Sequence, residues 1–347
     1  MTISVNDAVN AVMWRYRHNV ARHVLGVARH CQAAIMHRLQ SQCGHHQLRL
    51  GFEPYISLLA RGDQRLSELA DALCISRQAA NQVIDQIESA GYVDRAPDPE
   101  DGRAKRLRLT RRGRRLVTDG TEAAAAIETV YCEILGTRKV AAFRADCTRL
   151  ASYLGGENAA NGETLAETAP LAATLPRLAD HVSRELMQLT IGRGHPGLKL
   201  SFGHVLTLIG PRGGRVQQIA QAQDISKQAA SAIASELEQL GYLERSLDAG
   251  DARQRVLTFT PRGRLLIEDS VASVEDMAEA LAAAVGKRCW QRLSRTAADL
   301  YCGLHLEQDV FDKQNTDSLD AMAQRLRQQL GRREARALGQ LLVAGGT

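Results

Sequence analysis

The chain has 347 residues, 44% of them hydrophobic but only 4% aromatic, with 24% charged and a formal net charge of +5. That length suits two domains better than one core, and the composition excludes a disordered chain, a collagen and a disulfide-dense miniprotein. No apolar run approaches the ~18 residues of a membrane span. The opening residues lack the charged start and apolar stretch of a secretion signal. The seven cysteines form no Cys-x-x-Cys pair, which fits a reduced, cytoplasmic protein.

The sequence repeats itself. Shifted by 150 residues, Arg65–Leu116 faces Arg215–Leu266 without a gap, and 21 of the 52 pairs are identical. Weaker matches extend both ways, among them Leu39/Leu189, His45/His195, Phe52/Phe202 and Gly136/Gly286. The expected organisation is a first module over 1–154, a polar, Gly-rich linker over 155–169 and a second module over 170–304. A Gln- and Arg-rich helical tail without a counterpart follows, over 305–347.

In chain order, a long helix is expected over Val12–Gln42. Leu66, Leu69, Ala70 and Leu73 then mark one apolar face of a short helix. Ser76 is the natural N-cap of the next helix, whose buried face is Ala80, Val83, Ile84 and Ile87. Gly91 suits the left-handed position just past its end. Arg77, Gln78, Asn81, Gln82 and Asp85 share the opposite, polar face, and two short helices so joined are a helix-turn-helix. A hairpin follows: Tyr92–Arg95 as one strand, Pro97, Pro99 and Gly102 as the turn, and Leu107 and Leu109 alternating with Arg106 and Arg108 as the other. Thr110 caps a long helix over Arg111–Leu135, and another spans Arg138–Leu154. The second module repeats these signals, framed by helices over Pro170–Ile191, Pro261–Val285 and Arg288–Leu304, with Pro261 at a first helical position. The fold class is mainly α with small β-hairpin wings, as two winged helix-turn-helix modules framed by long helices.

The motifs Ser76–Ala80, Gly91–Arg95, Asp98–Arg103 and Leu107–Gly113, repeated as Ser226–Ala230, Gly241–Arg245, Asp248–Arg253 and Leu257–Gly263, resemble those of the MarR family of regulators. The resemblance covers about 20–154 and 170–304. It implies duplex-DNA binding by paired winged helices, an intramolecular pseudo-dimer made by the framing helices, and a small-molecule effector pocket between those helices and the winged units. Trp14, Tyr16, Phe52, Tyr55 and Phe202 are candidate pocket residues, though side chains of this kind are more often core.

Charge agrees with DNA as partner. Arg95–Arg115 holds nine basic residues against Asp98, Glu100 and Asp101, and clustered cations beside a polar helix release counterions from a phosphate backbone. Arg77, Gln78, Asn81 and Gln82, with Lys227, Gln228 and Ser231 in the second module, are the expected major-groove readers. Arginine forks onto guanine, and Gln or Asn pairs with adenine. Arg103 and Arg253 at the wing tips, with Lys105, Arg106 and Arg255, are expected to reach the minor groove or phosphates. Asp101 and Asp251 either orient those arginines or simply form the turn. Asn81 faces Ser231, Gln82 faces Ala232, and Arg106 and Arg108 face Val256 and Thr258, so the half-sites are expected to differ, with the first module contributing more affinity.

Switch candidates are fewer. His23, His30 and His37 recur every seven residues, about 10 Å apart along a helix, too far to share a metal without outside partners. Cys74 reads either as a redox-sensing thiol or, more ordinarily, as a small core side chain, and Cys31 and Cys43 share that ambiguity. Gly210–Gly214 lacks a phosphate-binding spacing and reads as a loop. No nucleophile–base pair, metal-ligand spacing or nucleotide loop is present, so no catalytic group, metal or cofactor is expected. The function expected is a sequence-specific transcriptional regulator, a repressor by preference, acting as one chain on two non-identical half-sites. The alternative is a winged-helix interaction protein that has lost one or both DNA faces.

Overall fold

Capping residues set the helix boundaries. The computed structural model describes residues 5–99, 101, 105–155, 169–209, 213–222, 225–248 and 251–306. The first half runs α1 (Val5–Arg17), α2 (Val20–Ser41), α3 (Glu53–Leu59), β1 (Gln64–Arg65), α4 (Leu66–Ala72), α5 (Arg77–Ser89), β2 (Val93–Pro97), β3 (Lys105–Leu109), α6 (Arg111–Leu135) and α7 (Thr137–Gly155). The second runs α8 (Leu171–Gly192), α9 (Leu200–Leu208), α10 (Val216–Ala222), α11 (Lys227–Gln239), β4 (Leu243–Asp248), β5 (Asp251–Phe259), α12 (Pro261–Val285) and α13 (Lys287–Gly303). Most of the expected linker, and the tail from residue 307, lie outside the described residues. The chain is mostly helical with small antiparallel sheets, the winged helix class the repeats imply.

The described residues form two compact units. One holds residues within 19–185 and 274–306. Its winged part closes around Phe52, Ile56, Leu69, Ile84, Ile87, Tyr92 and Leu107, all buried. Each such side chain contributes ~1.5–3 kcal/mol of burial, and on α5 the spacing of Ala80, Ile84 and Ile87 fixes which face turns outward. The sheet has order β1-β3-β2, with Arg95 opposite Leu107 and Gln64 opposite Leu107 from the other side. Helices from both repeats share the rest of this unit: α2 packs on α6 and on α13, and α13 packs on α7. Gly26 makes the α2–α13 approach possible, because a Cβ there would stand 2.4 Å from the Tyr301 ring. Buried Asp146 on α7 accepts both a forked pair from Arg292 on α13, at 2.7 and 2.5 Å, and the Cys289 thiol at 3.3 Å. Glu128 on α6 accepts the Leu171 N–H at 2.7 Å, a carboxylate at the positive end of α8.

The other unit holds residues within 5–18 and 186–273. Its core is Phe202, Val205, Ile219, Leu237, Tyr242 and Leu257, and buried Met13 of α1 is part of it. The single helix expected over Val12–Gln42 is therefore two helices. Asn19 is extended (φ −140°, ψ 164°), and its side chain caps α2 by accepting the Arg22 N–H at 3.0 Å. Arg17 donates to the Ile209 carbonyl at 3.2 Å, so the first helix serves the second winged core. The β4–β5 hairpin is longer than its counterpart and carries a register shift at Leu247/Asp248. Gly214 bridges Leu257 where, 150 residues earlier, Gln64 of β1 pairs Leu107.

One joint recurs in both modules. Thr110 donates from its hydroxyl to the Gly91 carbonyl (2.7 Å) and from its backbone N–H to Tyr92 O (3.0 Å), while its hydroxyl oxygen accepts the Gly113 N–H (3.0 Å). Thr260 does the same with Gly241, Tyr242 and Gly263 at 2.6, 3.1 and 3.0 Å. Gly91 and Gly241 hold φ of +79° and +76°, which lets the chain turn straight from helix into strand. A Cβ on Gly113 would sit 2.1 Å from Tyr92 O, and one on Gly263 2.0 Å from Tyr242 O. Gly120, on the same helix as Gly113, has nothing within 4 Å of that position. Gly113→Ala is expected to destabilise the winged part by ~1–3 kcal/mol or more, whereas Gly120→Ala should stabilise by about 0.5–1 kcal/mol. Urea denaturation of the two variants checks the pair; equal midpoints would mean that the joint tolerates a methyl group.

Candidate nucleic-acid interface

The two helices expected to read DNA, α5 and α11, are built alike. Ser76 caps α5 by accepting the Ala79 N–H at 3.1 Å, and Ser226 caps α11 by accepting the Ala229 N–H at the same distance. With Ala80, Ile84 and Ile87 inward on α5, and Ala230, Ala234 and Leu237 inward on α11, the polar faces turn to solvent. Arg77, Gln78 and Gln82 are exposed, as are Lys227 and Gln228, and none of them has a partner among the described residues. Asn81 and Ser231 are half-buried at equivalent positions.

The wing cations are less free than their number in the sequence implies. Arg108 forks onto Asp94 at 2.7 and 3.0 Å, and this pairing holds Asp94 below the usual carboxylate range and raises Arg108. Arg95 reaches Asp85 at 2.6 Å and Glu88 at 3.5 Å, and Arg115 reaches Asp119 at 3.4 Å. Arg112 lies over the Tyr92 ring, 4.8 Å from its centre. Arg106 shares Asp98 with Arg65, at 3.3 and 2.6 Å, and also donates to the Asp63 carbonyl. Lys105, Arg111 and Arg255 are exposed without a partner among the described residues. Arg103 lies outside the described residues, and Arg253 lies on β5 with its side chain outside them.

Sequence reasoning took Asp98 only as a motif residue and an opposing charge, and missed its structural tie. Its carboxylate is fully buried and ties β1 to β3 through Arg65 and Arg106. The available signal was the paired identity of Arg65/Arg215 and Asp98/Asp248 across the repeats. A second missed constellation lies where the framing helices meet the winged parts. Buried His45 donates from Nε2 to Asp119 at 2.8 Å, and buried His195 donates to Asp269 at 2.9 Å. His195 Nδ1 accepts from the Tyr242 hydroxyl at 3.3 Å, whereas Tyr92 donates to the His46 carbonyl at 3.3 Å. Arg262 covers the Tyr242 ring as Arg112 covers Tyr92. Each constellation joins the loop after a framing helix, the end of a reading helix and the first turns of the next long helix.

The switch candidates resolve individually. The His23 ring lies 5.0 Å from the Tyr301 ring; His30 Nδ1 lies 3.1 Å from the Tyr131 hydroxyl, with burial lowering its pKa; His37 is exposed. Among the described residues no group of three or more His, Cys, Asp or Glu could hold a metal ion. Phe52 and Tyr55 belong to the first winged core, Phe202 and Tyr16 to the second, and Trp14 is exposed. An open groove of about 460 Å³ runs beside Phe52, between Gln47–Arg49 and the C-terminal half of α5, where Arg49 donates to Gln86 at 2.9 Å. Cys74 is not a core thiol. It is exposed at the turn between α4 and α5 with φ of +54°, because that tight turn needs a left-handed residue. Cys31 is buried, and burial pushes its thiol up to about 11. Brief alkylation of the folded chain at pH 7.5 should label Cys74 well before Cys31 or the buried Cys147, as read by peptide mass spectrometry. Equal labelling would contradict this burial pattern.

Two family models, both described as the MarR family, match residues 56–105 and 197–254. Similar solved structures include CouR from Rhodococcus jostii RHA1 bound to p-coumaroyl-CoA (21% identity, 33% of this chain and 94% of that one, TM-score 0.25). MepR from S. aureus bound to ethidium bromide is 21% identical over 38% of this chain and 94% of its own, with a TM-score of 0.27. The regulator Tm0710 from Thermotoga maritima is 19% identical over 42% and 95%, with a TM-score of 0.28. No curated protein matches the chain. With one match on each winged helix-turn-helix, the chain carries two MarR-family modules in tandem.

Proposed function

We propose that this protein is a sequence-specific duplex-DNA-binding transcriptional regulator, acting as a repressor, in which one chain supplies both reading helices of a pseudo-dimer. The observation that carries this reading is the pair of capped helices, α5 and α11, each presenting an exposed cation and glutamine at its first two positions: Arg77 and Gln78, Lys227 and Gln228. The N-terminal residues of a recognition helix are the ones that reach base edges. The two modules of a family of DNA-binding regulators support the same reading. The packing of α2, α6 and α7 with α13 inside one unit supports joining of the repeats within the chain.

The assignments divide by reach. Arg77, Gln78, Asn81 and Gln82 with Lys227, Gln228 and Ser231 face the major groove; Lys105, Arg103, Arg253 and Arg255 face phosphates or the minor groove. Arg106, bound to Asp98, stiffens the first wing as well as adding charge. A small-molecule effector is part of the proposal. The groove beside Phe52 is wide enough for one, and an occupant would press on the reading helix through Gln86 and Ser89.

A mobility shift on the DNA upstream of the protein's own gene tests the reading, and a footprint should show two unequal half-sites. Arg77→Ala is expected to weaken specific binding by ~1–3 kcal/mol, and Lys227→Ala by less. Lys105→Ala should weaken binding to all duplexes alike and reduce the salt slope by about 0.9. No shift with any duplex at low salt would favour the interaction-protein alternative; equal penalties at Arg77 and Lys227 would remove the asymmetry.

A further inference from the structure

Asn81 stands on the exposed side of α5 one turn after Arg77, where an asparagine would ordinarily pair with adenine through its carbonyl oxygen and amide nitrogen together. Here both of those atoms have partners. The Asn81 amide donates from Nδ2 to Asp85 Oδ2 at 3.0 Å, and Asn81 Oδ1 accepts from Arg95 Nη2 at 3.1 Å. The same Arg95 nitrogen donates to Asp85 Oδ1 at 2.6 Å. Three side chains thus close a ring. Closing it occupies the edge of the amide on which oxygen and nitrogen stand side by side, the edge that adenine needs. The orientation of the amide is fixed by chemistry: a guanidinium only donates, and an ionised carboxylate only accepts. Glu88 pairs with the Arg95 Nε at 3.5 Å, so the guanidinium is anchored between α5 and β2.

The second module lacks this ring. Arg245 keeps its carboxylate anchor, Glu238 at 3.1 Å, and meets only the Ser235 hydroxyl at 3.4 Å. Ser231 and Ser235 stand where the first module has Asn81 and Asp85. The arginine–glutamate pair is common to the two modules, while the carboxylate that clasps the amide belongs to the first alone.

We propose that Asp85 and Arg95 are specificity-determining positioning residues of the first reading helix: they clasp Asn81 and withdraw it from adenine readout. The first half-site is then read at Arg77, Gln78 and Gln82, and the base pair under Asn81 is selected weakly. This inference rests on the DNA-binding reading above and deepens it. The clasp also puts a negative charge, Asp85, on a face that approaches a polyanion, so its effect there is on Asn81 and Arg95 rather than a gain in affinity.

The test is selection of bound sequences from a random duplex pool with the full-length chain, comparing the unaltered protein with Asp85→Ser, Asp85→Ala, Asn81→Ala and the double change Asp85→Ser with Asn81→Ala. Asp85→Ser installs the residue that the second module already carries at that position. Releasing the clasp should add a preference for adenine of about tenfold at a single base pair of one half-site. The preference should appear in Asp85→Ser and Asp85→Ala and vanish in the double variant. A merely structural role for Asp85 would lower binding to all sequences and leave the base preferences as they were. The inference is overturned if the unaltered protein already selects an adenine that Asn81→Ala abolishes, or if both Asp85 variants keep the original profile. Failure of every protein to enrich any duplex overturns the DNA-binding reading itself and is distinguishable from both.

Discussion

The contact on which each winged part depends is the seat of the next long helix against the backbone that leaves the reading helix. Thr110 bonds Gly91 and Tyr92, and Gly113 brings the first turn of α6 against the Tyr92 carbonyl. The contact is steric as well as polar, because only a residue without Cβ fits there. Three elements are fixed by it at once: the end of α5, the start of β2 and the direction of α6. The constellation of His45, Asp119, Tyr92 and Arg112 lies around the same seat and adds the loop after α2. The orientation of the reading face therefore follows from a few short bonds made at the opposite end of its helix.

Much of this was legible because it is local. Ser76 and Thr110 announce helix starts, Gly91 announces a left-handed end, and the 3.6-residue spacing of Ala80, Ile84 and Ile87 tells inward from outward; the helices expected over Arg111–Leu135 and Pro261–Val285 have those bounds. What was not legible is non-local or depends on one backbone angle. The break at Asn19 looks in sequence like any polar residue in a helix, and only the packing of Met13 with Phe202 explains the separate helix. Cys74 is exposed in a turn that holds it at a positive φ, which a cysteine does not advertise. In the candidate interface, the outward residues of the reading helices were visible from periodicity, but the ring of Asn81, Asp85 and Arg95 spans a helix and a strand.

Counting cations along the chain gives a similar lesson about charge. Opposing carboxylates were sought within the wing segment itself, yet Asp85, Glu88 and Asp119 come from the helices on either side, and Asp94 lies just ahead of it. Cations engaged by them still contribute to the local field. Their side chains, however, are already oriented, and moving them to a phosphate means giving up a bond already made. Lys105 and Arg111 carry no such cost. The sequence therefore measures the sign of the field well, and the structure decides which side chains are available for individual contacts.

The two modules keep one scaffold and differ at its tips. The cap, the joint glycine, the His–Asp pair and the arginine over the tyrosine ring recur at an offset of 150 residues, and these are the features whose loss would unseat a helix. Asn81, Asp85, Arg106 and Arg108 of the first module face Ser231, Ser235, Val256 and Thr258 of the second, and all eight lie on a reading helix or a wing strand. In a dimer of identical chains, any change on a reading face is imposed on both half-sites at once. Fusing two copies removes that constraint, so each face is free to change while the scaffold stays fixed by packing. A fused pair can hold an asymmetric site without a second gene, and of these eight positions all but Val256 are at least partly exposed, where such a change costs the core least.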